Sequence, residues 1–167
     1  MTPATVCVSG GSNIEPEANL LLAAREIKER FPDARFSHCY RNKSIGFDGP
    51  DFINFAVVFT TSLPVEAVNA ELERIEARCG RPPDAKRWEP RAMDLDILLY
   101  GDLVGVFGGL TLPRPSLLEW NFMLRPAAEI APLLVHPATG KSLASLWVHF
   151  AGDANPLSPV DLDLGAA

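Results

Sequence analysis

The chain has 167 residues, of which 47% are hydrophobic and 22% charged, and its formal net charge is −6. This length and composition suit one folded domain with its own core, and no apolar run approaches the ~20 residues of a membrane-spanning helix. The acidic balance argues against a general nucleic-acid binder, because neutralising phosphates requires a basic surface.

The first residues and the cysteines favour a cytoplasmic protein. The N-terminal residues lack the basic segment followed by an apolar segment that marks a signal peptide. Cys7, Cys39 and Cys79 are an odd number of widely separated residues. We therefore interpret them as reduced thiols of a cytoplasmic protein.

The first predicted elements are a strand and a helix. The apolar, β-branched segment 5–9 predicts a strand, and the Gly-Gly-Ser-Asn sequence at 10–13 predicts the turn that ends it. Apolar residues spaced three or four apart then predict a helix that ends near Arg30, before Pro32. A glycine-rich phosphate loop at 10–13 is the weaker alternative, because it lacks the lysine of such loops.

Two strands are predicted next, at 34–42 and 51–61. The second has strict alternation, and its core face consists of Ile53, Phe55, Val57 and Phe59. The opposite face is mixed, because it carries Asn54 among apolar neighbours.

A second helix is predicted over 62–80, with Ser62 as its N-cap and Gly80 at its end. Its apolar stripe is a core face, and the opposite side carries Asn69, Glu73 and Glu76. A proline-rich cationic loop at 81–91 leads into a fourth strand at 93–100.

The resulting order, βαββαβ, predicts an α+β sandwich with an antiparallel sheet and both helices on one face. Beyond Gly101 we expect a turn-rich region and a short helix around 141–149. We assign residues 1–150 to a single domain and residues 151–167 to a loosely ordered tail.

Asp94 and Asp96 are the first candidates for chemistry. On a strand, residues two apart point to the same face, ~6.6 Å apart, so both carboxylates could reach a shared metal site. All-oxygen ligands favour magnesium, which completes its shell with water and phosphate oxygens. A pair of solvated strand acids is the alternative.

Four cations directly precede these acids: Arg81, Lys86, Arg87 and Arg91. Arginine forks fit phosphate oxygens, and lysine adds a mobile point charge. Acids for magnesium beside cations for phosphate are typical of phosphoryl-type transfer. The alternative is a solvated basic loop that neutralises the acids, and no P-loop sequence is present.

Aromatic residues and one amide suggest a pocket for a flat heterocycle. Phe52 and Asn54 share the mixed strand face, Trp88 lies in the cationic loop, and Phe122 lies in a turn-rich segment. Aromatic faces can enclose a ring while an amide reads its edge. The alternative for Phe52 and Phe122 is ordinary core packing.

The segment RWEPRAMDLDILLY, residues 87–100, resembles the W-G-P-R-x-x-D-L-D-I signature of the 6-hydroxymethyl-7,8-dihydropterin pyrophosphokinase family. The segments GSN, YRNKSIGFDGPDFINFAV, IEARCGR, LTLPRP and FMLRPAAEIAP also follow the order of that family. The resemblance covers roughly residues 5–140.

This resemblance implies a ferredoxin-like fold. It also implies that ATP donates its β,γ-pyrophosphoryl group to the hydroxymethyl group of a reduced pterin, leaving AMP, in folate biosynthesis. Two Mg²⁺ ions are implied as cofactors. We expect a cytoplasmic monomer with neither nucleic acid nor membrane as a partner.

The resemblance also implies a role for each matching residue. Asp94 and Asp96 would bind the magnesium ions, and Arg81 and Arg91 would stabilise the transferring group. The residues implied to form the pterin pocket are Asn42, Ile45, Phe52, Asn54, Trp88 and Phe122. The residues implied to face ATP are Glu73, Glu76, Arg87, Thr111 and Arg114.

The chain departs from the family pattern at several positions. Glu89 stands where glycine is usual, Arg114 where histidine is usual, and Trp120 where arginine is common. Asn42-Lys43 replaces a Thr-Pro-like pair, and Pro82-Pro83 stiffens a loop that is expected to move. The alternative function is therefore a catalytically weakened paralogue that binds a pterin or nucleotide. A ferredoxin-like RNA-binding domain would need a basic sheet face, which this chain lacks.

Overall fold

The computed structural model describes residues 2–44, 48–80, 92–153 and 155–167. Its strands are β1 Ala4–Ser12, β2 Arg35–Phe36, β3 Cys39–Asn42, β4 Phe52–Thr61, β5 Asp94–Tyr100, β6 Gly105–Phe107, β7 Leu110–Leu112 and β8 Ser158–Val160. Its helices are α1 Pro16–Arg30, α2 Val65–Arg78, α3 Asn121–Ile130 and α4 Leu143–Val148, with 3₁₀ turns at Pro115–Leu118 and Leu164–Ala166. None of the helices in these ranges has both the length and the hydropathy of a membrane span.

The main sheet is antiparallel, with strand order β5-β1-β4-β3-β8, and β2 also pairs with β4. The four strands β5, β1, β4 and β3 are the fourth, first, third and second of the predicted βαββαβ unit. This is the order of a ferredoxin-like sandwich, so the predicted α+β fold is confirmed. A separate hairpin of β6 and β7 follows β5.

The first two helices cover one face of the sheet, as predicted. Leu20 and Ile27 of α1 and Leu72 and Ile75 of α2 are fully buried there. The alternating residues of β4 meet them in one hydrophobic cluster, namely Ile53, Phe55, Val57 and Phe59. The predicted core face of β4 is therefore confirmed.

The other face of the sheet has its own cover, which the sequence pattern did not predict. Ala56 and Val58 of β4 pack in a second cluster with Leu124 of α3 and Leu143 of α4. The short helix expected around 141–149 is α4. The helix α3, in contrast, occupies part of the segment that we expected to be turn-rich, so Phe122 lies in a helix and not in a turn.

Three local predictions need correction. Gly10, Gly11 and Ser12 continue β1, where all three pair with β4 and the two glycines also pair with β5, so the turn begins later than expected. The strand predicted over 34–42 is divided into β2 and β3. Helix α2 starts at Val65 with Pro64 as its N-cap, so Ser62 is not the cap.

Residues 155–167 differ from the loosely ordered tail that we expected. Strand β8 pairs with β3, and Leu164 is 1% exposed within the main core. Pairing at the sheet edge satisfies backbone groups of this proline-containing segment, and Leu164 buries apolar surface. The segment is therefore held against the domain.

Candidate active site

The sheet register brings residues from four strands into one row. Asp94 pairs with Gly11, Gly11 pairs with Asn54, and Asn54 pairs with Tyr40. Residues directly opposite each other in antiparallel strands point to the same face. The row lies on the face of the sheet that carries the second cluster, with α3 and α4. It combines a carboxylate, a glycine without a side chain, an amide and a phenol.

The two aspartates share this face, as their spacing predicts. Asp96 pairs with Ser9, next along β1 on the same face as Gly11. The side chain of Asp96 is 34% exposed, and Asp94 has intermediate exposure. Both carboxylates are therefore placed at the start of an edge strand where a ligand in solution could reach them.

Gly11 creates the space that Asn54 occupies. A Cβ atom at residue 11 would lie 2.4 Å from Asn54 Oδ1, closer than side chains approach one another. The Nδ2 group of Asn54 donates to Asn42 Oδ1, and both side chains are 5% exposed. The predicted pocket residues Asn42 and Asn54 therefore form one buried amide pair. Gly11, which has no side chain, lies between this pair and Asp94.

Glu76 has a different position from the one we predicted. It is 8% exposed instead of lying on the polar side of α2, and its Oε2 accepts a hydrogen bond of 2.7 Å from the backbone N–H of Leu95. Leu95 separates the two aspartates in sequence. Glu76 thereby fixes the edge strand at the point from which both aspartates project.

Arg114 lies beside Asp96. Its Nη2 is 3.5 Å from Asp96 Oδ1, its Nε donates to the carbonyl of Ile97 at 3.0 Å, and its backbone N–H donates to Leu98. The backbone bond holds residue 114 beside β5, and the Nε bond holds its guanidinium there. The positive charge therefore remains next to the carboxylate of Asp96.

Phe122 lies in the first turn of α3, where its ring stacks on Trp120 with centroids 5.7 Å apart. Trp120 is one of the departures from the family pattern. The pair is half-buried, so it offers an aromatic surface at the helix start instead of a closed core contact.

The remaining predicted residues are more dispersed. Phe52 is half-buried and pairs with Asn42. Glu73 is exposed on α2 and accepts from Asn69 Nδ2 at 3.0 Å, and Thr111 is exposed on β7. Five predicted site residues lie outside the described residues: Ile45, Arg81, Arg87, Trp88 and Arg91.

The sequence interpretation missed a polar cluster that joins β3 to α3. Tyr40 Oη donates to Glu129 Oε1 at 2.5 Å, and the backbone N–H of His38 donates to Glu129 Oε2 at 2.9 Å. The guanidinium of Arg125 lies 4.6 Å from the centroid of the Tyr40 ring. Burial, followed by the hydrogen bond to Glu129, raises the pKa of Tyr40 to about 12, so the phenol remains a donor.

The donor set near the aspartates fits magnesium. Among the described residues no group of three or more His, Cys, Asp or Glu side chains comes together as a metal site. Two carboxylates on one face, with Glu76 engaged on Leu95, leave most of a coordination shell to water and substrate oxygens. Magnesium commonly binds in this way, whereas zinc takes three or four protein ligands, mostly His and Cys.

The chain matches the family described as 7,8-dihydro-6-hydroxymethylpterin-pyrophosphokinase over residues 7–132. A 2-amino-4-hydroxy-6-hydroxymethyldihydropteridine pyrophosphokinase of Aquifex aeolicus is 35% identical over 84% of this chain and 88% of its own length. The protein with the same description from Synechocystis sp. is 38% identical over 81% of this chain and 71% of its own length.

A solved structure shares the fold. Wild-type Plasmodium falciparum HPPK-DHPS superposes with a TM-score of 0.67 at 10% sequence identity, covering 89% of this chain. This chain spans 45% of the length of that one. At this identity the similarity concerns the fold alone, and it agrees with the ferredoxin-like topology.

Proposed function

The chain belongs to the 7,8-dihydro-6-hydroxymethylpterin-pyrophosphokinase family, and on this premise we propose that it transfers the β,γ-pyrophosphoryl group of ATP to 6-hydroxymethyl-7,8-dihydropterin. The hydroxymethyl oxygen forms a bond to the β-phosphorus, and the bond from that phosphorus to the α,β-bridging oxygen breaks. AMP leaves with the bridging oxygen, and the hydroxyl proton is released. The product is the pterin diphosphate of folate biosynthesis.

The observation that carries this proposal is the row across the sheet. Asp94 and Asp96 lie at one end, Asn54 lies two strands away, and Gly11 between them carries no side chain. Two strand spacings amount to ~9.6 Å, about the length of a bicyclic ring with its substituent. A ring whose edge reaches Asn54 would therefore place its hydroxymethyl group near the carboxylates.

Asp94 and Asp96 would hold two magnesium ions. Magnesium held there would supply positive charge beside the polyphosphate and would lower its repulsion of the attacking hydroxyl. The fixed strand edge, with Glu76 on the Leu95 amide, supports this role by holding both carboxylates in place. No protein nucleophile is required, since the substrate hydroxyl attacks directly.

Asn54 would read the edge of the pterin through hydrogen bonds, oriented by Asn42. Phe122 would lie against one face of the ring and Trp88 against the other, with Ile45 and Phe52 completing the pocket. Burial of both amides supports this assignment. A buried amide whose position is fixed by a partner discriminates against a ring that cannot satisfy the hydrogen bonds of the amide.

ATP would be bound by residues that surround the aspartates. Arg114, beside Asp96, would contact the polyphosphate, and Arg81, Arg87 and Arg91 would add positive charge from the loop. Glu73 and Thr111 would face the nucleotide further out. We propose that the protein acts as a cytoplasmic monomer without a nucleic-acid or membrane partner. Its acidic net charge supports the absence of a nucleic-acid partner.

A catalytically weakened paralogue is the second candidate. Its support is Glu89 among the loop cations and Trp120 stacked on Phe122 in place of a cation. Such a protein would bind the pterin or the nucleotide with little turnover.

The test is to incubate the protein with ATP, magnesium and 6-hydroxymethyl-7,8-dihydropterin, and to measure AMP and ADP. We expect AMP only when the pterin is present, and a loss of about 10³-fold in its formation in Asp96→Ala, because the metal then lacks a ligand. Asp102→Ala removes an exposed acid just beyond β5 and is the matched control.

Three results would contradict the proposal. ADP as the product would mean simple phosphoryl transfer. Unchanged AMP formation by Asp96→Ala would remove the metal site from the aspartates. Tight pterin binding without turnover in the parent protein would favour the weakened paralogue.

A further inference from the structure

The C-terminal segment, which we define as Asp153 with residues 155–167, carries none of the residues to which the family resemblance assigns a role. The family match ends at residue 132. The segment nevertheless contacts both sides of the proposed pterin pocket, at the start of α3 and along β3.

Its first anchor is the start of α3. Asp153 forms a parallel bridge with Trp120, and its backbone N–H donates to the carbonyl of Glu119 at 2.9 Å. The Nδ2 group of Asn121 donates to the carbonyl of Asn155 at 2.6 Å, and Asn121 is 5% exposed. Phe122 is the next residue, so this anchor determines where the aromatic surface of α3 begins.

Its second anchor is β3, through β8. Val160 pairs with Cys39, Pro159 with Tyr40, and Ser158 with Arg41. The following residue of β3 is Asn42, the partner of Asn54. This anchor therefore supports the strand that carries Asn42 of the amide pair.

The two anchors are joined by very little chain. Only five residue steps separate Asp153 from Ser158, which limits their distance to ~17 Å. Beyond β8 the segment is fastened again, because Leu164 is 1% exposed in the core and the ammonium group of Lys28 donates to the carbonyl of Gly165 at 3.0 Å. Neither end can move far without breaking buried contacts.

We propose that the C-terminal segment is a positioning element of the pterin pocket, which fixes Phe122 on α3 at a set distance from Asn42 on β3 and thereby from the Asn42–Asn54 pair. This inference rests on the proposed function. A preorganised gap between an aromatic face and a reading amide lowers the ordering cost of binding. The aspartates project from β5 and need no help from the segment, so the effect is confined to the pterin.

The test inserts Gly-Gly between Asn155 and Pro156, which keeps both anchors and adds slack between them. The control inserts Gly-Gly between Gly140 and Lys141, in an exposed turn. Pterin affinity is measured by titration in the presence of α,β-methylene-ATP, whose α,β bond does not react, and the affinity for that analogue is measured separately. Thermal unfolding is recorded for each variant.

We expect the test insertion to raise the Kd for the pterin by about tenfold and to leave the Kd for the nucleotide within about twofold, with no change in the control. Asn121→Ala removes one side-chain link without altering the chain length, and it should also raise the Kd for the pterin. This variant tests the inference if the insertion variant fails to fold. A pterin Kd equal to that of the parent, or equal losses for pterin and nucleotide in a folded variant, overturns the inference. A parent protein that binds no pterin overturns the proposed function instead.

Discussion

Asn54 illustrates how single residues acquire their role here from a partner that is distant in sequence. Its amide is held by Asn42, and the space it occupies depends on Gly11. Asp96 likewise has Arg114 beside it. These two polar groups are therefore paired before any substrate arrives, as is usual for buried and half-buried polar groups.

Arg114 allows a test of this pairing at the residue level. Because its charge lies beside Asp96, Arg114→Ala should let the carboxylate hold metal more tightly, and the Mg²⁺ concentration for half-maximal AMP formation at saturating ATP should fall about two- to fivefold. The change is modest because the pair is partly exposed and screened by solvent. Arg74→Ala, an arginine on the outer side of α2, is the control. A higher magnesium requirement would show that the charge of Arg114 does not weaken metal binding at Asp96.

At the level of elements, β1 is the strand on which the site is organised. It lies between β4 and β5, and its consecutive glycines face opposite sides. A Cβ atom at Gly10 would lie 2.3 Å from the ring of Phe55 in the core, whereas one at Gly11 would meet the amide of Asn54. One strand therefore serves packing on one face and the pocket on the other.

The two glycines should separate stability from binding. Gly10→Ala should lower the free energy of unfolding by roughly 1–3 kcal/mol through overpacking of the core. Gly11→Ala displaces the end of the Asn54 side chain and not a ring in the core, so it should cost less stability but raise the pterin Kd by about tenfold, because the reading hydrogen bonds are lost. Urea unfolding and pterin titration of both variants measure this, and parent-like pterin binding by Gly11→Ala would refute it.

For the molecule as a whole, two clusters on opposite faces of one sheet bury all three thiols. Burial raises the pKa of Cys7 from 9.0 to about 12. Burial, with Glu129 and Asp163 nearby, raises the pKa of Cys39 to about 12, and burial raises that of Cys79 to about 11. The folded state therefore keeps these groups neutral.

This burial predicts a loss of stability at high pH. Below about pH 9 the thiols are neutral in both states and contribute no pH dependence. Between about pH 9 and 12 the unfolded chain releases protons that the folded chain retains, so the free energy of unfolding falls as pH rises. Cys7→Ala should reduce this slope by about 1.4 kcal/mol per pH unit. Urea unfolding at pH 8, 10 and 11 measures it, and equal slopes for variant and parent would exclude the thiol as the cause.

Elements with a local signal could be predicted from the sequence. The alternation in β4 and the apolar stripes of α1 and α2 report which side chains face a core, and the spacing of Asp94 and Asp96 places both on one face of a strand. Helix α3 was missed because Pro126 lies inside it and prolines surround it, and proline is read as a helix breaker. The C-terminal segment was missed because its order comes from the edge of β3 and one buried leucine.

The sequence by itself determined the βαββαβ order of the first 100 residues, the faces of β4 and the family to which the signature belongs, because periodicity and motif spacing are properties of neighbouring residues. Only the tertiary structure decided that Asp94, Gly11, Asn54 and Tyr40 form one row, that Glu76 is buried on the Leu95 amide, and that the C-terminal segment joins α3 to β3. These depend on the register between strands far apart in the chain, which is set by the packing of the whole sheet and not by local sequence.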